Sequence, residues 1–212
     1  MRRDEGVTVT GSASVDVVPD IVLATLGVDV RSDDLATALR TAESSLARMR
    51  DVFLEGGVDR SGIASTRSAI WREDRPGEHG QILATVMHVR LGLRVTLRSA
   101  AAAGDLVHAA VAAAGADASM DSLDFAVSDS TEAMARARDA AFDNAREIAA
   151  GYAARAGRGL GQVRAIVEGL AGDTISPRTT FAAMEKGRAS MPVEPGQQAV
   201  TAAVTVTWEL AD

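Results

Sequence analysis

The sequence predicts an α+β fold, with mostly antiparallel sheet and about three helices packed on one face. Three patterns predict it. Several segments alternate apolar and polar residues with period two, three others carry apolar stripes at helical spacing, and neighbouring strands follow one another without a crossover helix. A sheet with one apolar and one polar face is normally antiparallel, because parallel sheets are usually covered on both sides.

The first alternating segment places Val7, Val9, Val15 and Val17 on one face, with Gly11 between them. Pro19-Asp20 interrupts the ladder, since proline has no N–H to donate, and a second strand runs from Ile21 to about Val30. Ser32-Asp33-Asp34 reads as a helix start, with a capping hydroxyl and acids in the first turn. Leu35, Leu39, Ala42, Leu46, Met49 and Phe53 form the buried stripe of that helix, which Gly56-Gly57 ends.

Ile63 to Trp71 reads as a strand and Glu73 to Gly80 as a polar loop with Pro76-Gly77 at its tip. The clearest strand follows. Met87, Val89, Leu91, Leu93, Val95 and Leu97 make its apolar face, and His88, Arg90, Arg94, Thr96 and Arg98 its polar face. Ser99 caps an Ala-rich helix to about Ala114, with Gly104 an internal weak point that could move the start to about Asp105. Leu123, Phe125 and Val127 form a short strand. Asp129 then caps a helix with Glu132 three residues on, and Met134, Ala137, Ala141, Ala145, Ile148 and Tyr152 supply its stripe. That helix ends near Gly157. Val163, Ala165 and Val167 suggest another strand, and Val200 to Leu210 alternates with Thr201, Thr205, Thr207 and Glu209 as the last one.

Residues 171–196 lose all periodicity and hold three of the five prolines. A loop of that length in a compact domain is usually functional or disordered. The expected organisation is one domain over residues 1–212. Residues 7–170 and 197–210 are its ordered core, and 171–196 a long loop or arm. Arg178, Phe181, Met184 and Arg188 would give such an arm its grip on a partner chain.

Composition narrows the function classes. The 29 acids against 22 bases give a net charge of −7, which disfavours nonspecific binding to nucleic acid or anionic lipid. No cysteine is present, so disulfides and thiolate chemistry are excluded. No run of about 18 apolar residues could span a bilayer. Two arginines at the start are followed by no apolar segment, so a cytoplasmic location is the expectation from this chain.

The order of several short motifs resembles the SIMPL-domain family over roughly residues 7–210. These are Gly11-Ser12-Ala13-Ser14-Val15, Val18-Pro19-Asp20, Leu26-Gly27-Val28, Gly57-Val58, Leu123-Asp124-Phe125 before Ser128-Asp129, and Ala137-Arg138-Asp139-Ala140-Ala141. Gly157, Leu160-Gly161 and Glu194-Pro195-Gly196 complete the pattern. The chain departs from it at Trp71-Arg72-Glu73-Asp74 and at Gly80-Gln81-Ile82-Leu83, where the family commonly carries tyrosines. The resemblance implies no catalytic residues and no cofactor. It implies homo-oligomers in at least some members, envelope or oxidative-stress roles, and a periplasmic or envelope location in exported ones.

Motif by motif, the residues favour binding over catalysis. His79 lies near Glu73, Asp74 and Glu78 without regular ligand spacing, so a metal site is not expected. His88 and His108 lack a carboxylate or serine at motif spacing. Gly157, Gly159 and Gly161 follow a helix and precede a strand, the reverse of a phosphate loop, so they read as a helix stop and turn. The stripe His88, Arg90, Arg94 and Arg98 has no interleaved aromatic for base stacking, so nucleic acid is not an expected partner. Arg90 and Arg94 are expected to pair with acids of a neighbouring strand or subunit. With no catalytic motif in view, the family resemblance implies a noncatalytic homo-oligomer linked to envelope or stress-related function. The rivals are a signalling or ligand-binding adaptor using the polar sheet face, and an unrecognised hydrolase.

Overall fold

The computed structural model describes residues 6–76, 82–169, 174–178 and 196–212. They form nine strands in antiparallel sheets and three α-helices, the α+β class that the alternation predicts. The Cα positions cluster into two compact units.

One unit takes residues from both ends of the chain. Its central strand is β9 (Gln197–Ala211). Strand β1 (Gly6–Val17) pairs along one side of it in an unbroken register, from Gly6 opposite Glu209 to Val17 opposite Gln198. On the other side lie β7 (Gly159–Glu168) and then β8 (Thr174–Arg178). Helix α3 (Thr131–Arg155) covers one face. Its buried residues are Ala133, Ala137, Ala141, Ala145, Ala149 and Ala153, one every four positions. Such small side chains let a helix lie close to a sheet, and Gly11 uses that closeness. A Cβ built on Gly11 would collide with the Ala141 carbonyl and the Ala145 amide, and would sit 2.7 Å from the Ala145 Cβ. The Ser12 amide also donates to Asn144 Oδ1 at 3.2 Å. The uncovered face is polar, with hydroxyl pairs Thr8–Thr207, Thr10–Thr205 and Ser14–Thr201 at 2.8–2.9 Å.

The other unit holds β2 (Ile21–Ser32), α1 (Leu35–Glu55), β3 (Ile63–Ser65), β4 (Ala69–Pro76), β5 (Ile82–Leu97), α2 (Ala100–Ala114) and β6 (Ala118–Ala126). Its sheet runs β3-β5-β2-β6, with β4 continuing beyond β3 along the same side of β5. Val22, Ala24, Leu26, Val28 and Val30 point from β2 into one core. They meet Val89, Leu93, Val95 and Leu97 of β5, Met49 and Phe53 of α1, and Val107 of α2. Arg48 ties the two helices together by donating from Nε to the Ala113 carbonyl at 2.8 Å. A cation at a helix C-terminus is favourably placed against the exposed carbonyls there.

Several boundaries differ from the sequence expectation, each for a local reason. Asp34 itself caps α1, accepting from the Thr37 amide at 2.8 Å and the Thr37 hydroxyl at 2.7 Å. Those bonds, the hydroxyl's first, hold its carboxyl below the ordinary 3.8. The α1 stripe is rotated, so that Ala38, Ala42, Ser45, Met49 and Phe53 are buried while Leu35 is exposed. Helix α2, by contrast, keeps its expected start, with Ser99 as the cap of Ala100–Ala114 and Gly104 inside it. Asp129 does not cap α3; Ser130 holds that position, and Asp129 accepts from the Thr131 amide instead. Ile148 and Tyr152 are exposed beside the alanine stripe, not within it. The strand expected over Ile63–Trp71 is two strands, and β4 continues through the expected loop to Pro76. Strand β8 lies inside the stretch expected to be irregular, because pairing with β9 does not require alternation.

Candidate functional site: the β4–β5 hairpin

The hairpin of β4 and β5 is where the sheet outruns its support. Strand β2 ends at Ser32, opposite Met87. Among the described residues, β4 is the only strand bonded to β5 from Ile82 to Val86, so there this part is a two-stranded ribbon. Isolated two-stranded ribbons are marginal in water and gain from a further contact. This one exposes Ile82 by 61% and Leu83 by 69%, and Ile70, farther along the hairpin opposite Val89, is 52% exposed. The register shifts between Arg75 and Pro76, where Ala84 and Ile82 are the paired residues and Leu83 is left over. A bulge of this kind re-aims side chains.

At the base of the ribbon a polar cluster fixes β4 to the sheet. Trp71 pairs with His88 across the strands, and their rings stack with centroids 4.7 Å apart and 15° between planes. His88 is only 4% exposed, whereas Trp71 is 39% exposed. The His88 Nε2 lies 3.0 Å from Glu73 Oε2. Arg90 donates from Nη2 to Asp29 Oδ2 at 2.7 Å, and its guanidinium carbon lies 5.9 Å from the Trp71 ring centroid, within cation–π range. Asp29 Oδ1 and His88 Nδ1 are buried without a hydrogen-bond partner among the described residues. Next along β5 comes Gly92, opposite Gly27, and then the exposed Arg94, opposite Thr25 of β2 and Ala64 of β3.

Of the interaction residues expected from sequence, Arg90 and Arg94 lie on this face. Arg178 ends β8 opposite Gln197, in the other unit. Phe181, Met184 and Arg188 lie outside the described residues, as does His79. Arg90 meets an acid of the adjacent strand, as expected for it, while Arg94 makes no ion pair with any described residue. The view that this face lacks an aromatic needs correcting. Trp71 comes from β4, a neighbouring strand, so the spacing within β5 could not reveal it. Asp29 was the available clue, since it alone is charged in the run from Ile21 to Val30.

Among the described residues no three His, Asp or Glu side chains converge as metal ligands. Among them, too, no helix is long and apolar enough to cross a membrane. Residues 7–208 match the model of a family named SIMPL and described as a protein of unknown function (DUF541). No curated protein matches the chain.

Proposed function

We propose a role from one premise: the chain belongs to the SIMPL family, whose model covers nearly all of it. On that footing it is a noncatalytic domain that assembles into a homo-oligomer through the β4–β5 hairpin. The observation that carries this reading is the presence of Ile70, Ile82 and Leu83, all more than half exposed, on one hairpin. Burying such side chains contributes about 1.5–3 kcal/mol each, and a contact repeated by symmetry counts every one twice. The same assembly would serve the envelope or stress settings that the family resemblance implies.

The placement of His88 supports the noncatalytic part. Its Nε2 is engaged by Glu73, its ring lies against Trp71, and its Nδ1 is closed to solvent. The test of assembly is solution mass by light scattering. The wild type is expected to be larger than the 22.0 kDa chain. Ile70→Glu combined with Leu83→Glu is expected to return it to one chain with little change in melting temperature. A monomeric wild type, or a double variant of unchanged mass, would sink the proposal.

A second reading is favoured by Arg94, an exposed cation to which no acid among the described residues is paired, on the face that also presents Trp71. There the domain acts as an adaptor for an acidic partner. With a partner in hand, Arg94→Glu should abolish its capture while the oligomer mass and thermal stability stay the same. Capture at full strength by that variant rules the adaptor out.

A further inference from the structure

Strand β1 is an outer strand, and among the described residues no strand pairs with its far side. Outer strands normally carry devices that discourage further pairing. The other outer strands here have them. Strand β4 has Pro76 and a run of charges, β6 and β7 have shifts of register, and β3 and β8 are three and five residues long. From Gly6 to Val15, β1 has no charge, no proline and no break in its pairing with β9.

One hydrogen bond shows which groups lie open. The Ser12 amide donates to Asn144 Oδ1, so it points away from β9. Amides alternate between the two sides of a strand, so those of Thr8 and Thr10 point outward too. Asn144 occupies the edge at Ser12, which leaves Gly6–Thr10 open among the described residues. Asn144, Ile148 and Tyr152 follow at four-residue spacing and share one side of α3, the side over this edge. Ile148 and Tyr152 are both exposed. Gly11 lies against Ala141 and Ala145, and α3 runs from there toward the Gly6 end of β1, where β7 begins opposite Ala211. From Gly11 to Thr8 is about 10 Å of strand, which about seven helix residues also span. Thr8 is therefore level with the point midway between Ile148 and Tyr152.

We infer that a second copy of the chain covers this edge, its β1 pairing antiparallel with the first about a two-fold axis at Thr8. Gly6 of each copy then faces Thr10 of the other. Over the joined strands Ile148 of each copy meets Tyr152 of the other. The open backbone and the exposed apolar pair are both centred on Thr8, so one two-fold satisfies both. An unrelated strand would bond the backbone but bring no helix to cover Ile148 and Tyr152. The inference rests on the proposed hairpin assembly. Five paired residues and two side chains per copy fall below the about 800 Å² per partner of a standard interface. The edge therefore joins copies that the hairpin already holds, where its effective concentration is high. Two different two-fold contacts link copies alternately, so the mass exceeds two chains.

The chain has no cysteine, so a single introduced one reports position. Thr8→Cys, on the axis, would face its counterpart at about 5.5 Å between Cα atoms, within reach of a disulfide. Under mild oxidation it is expected to link copies at least tenfold faster than Ser14→Cys, which is equally exposed but far from the axis. Ile148→Glu combined with Tyr152→Glu changes two exposed helix positions. Light scattering should then give two chains, with little change in melting temperature. Equal linking by the two cysteines, or a double variant that keeps the wild-type mass, overturns the edge pairing and leaves β1 open to a strand of another protein. A wild type of two chains removes the edge pairing alone, whereas a wild type of one chain removes the hairpin assembly with it.

Discussion

Gly11→Ala is expected to lower stability by about 3 kcal/mol, at the upper end of what overpacking by one methyl usually costs. The new Cβ would fall on the backbone of α3, at the Ala141 carbonyl and the Ala145 amide, and neither can rotate away as a side-chain tip could. Helix α3 would have to lift from β1, opening the packing of Val9, Ala141, Ala145 and Val206 and stretching the Ser12–Asn144 bond. Relief is unavailable on the helix side, because the contacting residues are already alanines. Urea denaturation gives the number. Thr8→Ala is the control, since Thr8 is exposed on the opposite face and loses only its hydroxyl pair with Thr207. Equal losses in the two variants would contradict the close approach of α3.

Phe53→Ala is expected to cost about 3–5 kcal/mol, the range for deleting a buried aromatic and leaving a cavity. Phe53 is fully buried at the last turn of α1 and belongs to the core that β2, β5 and α2 share. The informative comparison is Leu35→Ala at the other end of the same helix. By sequence spacing Leu35 and Phe53 share a stripe, but Leu35 is 36% exposed. Its replacement should change stability by about 0.5 kcal/mol or less. Similar losses at both positions would mean that the helix is rotated from the arrangement described.

Much of this fold was legible because alternation reports burial directly. The apolar positions of β1, β5 and β9 could be read residue by residue, and so could the helix ends at Gly56, after Ala114 and near Gly157. Gly115 and Gly157 adopt the left-handed backbone that favours glycine. What failed was phase. In α1 and α3 the large residues Leu35, Ile148 and Tyr152 attract a stripe toward themselves, whereas the structure buries Ala38 and the alanine series instead. In an alanine-rich helix that lies close to a sheet, the small residues are the contact. Large side chains would hold the helix away, so they stand beside it.

The site was less legible than the fold, for a reason of register. Arg90 and His88 stood out within β5, but their partners Asp29, Trp71 and Glu73 come from two other strands. Pairing across strands depends on which residues face each other, and a single strand's spacing does not contain that. The stretch Glu73–Pro76 misled for a related reason. Its charges and proline suit a loop, yet they equally suit an outer strand, where charge and proline discourage unwanted pairing. Leu83, on the other side of the same ribbon, has no such protection.

Hydrogen exchange measured as a function of protein concentration tests the assembly claim most directly, because it locates the contact as well as detecting it. The account predicts that amides of Ile82–Val86 and Ala69–Arg72 gain protection as concentration rises, while those of α3 and β9 do not change. A rise in mass with the hairpin amides unchanged, or with new protection confined to another surface, would contradict it.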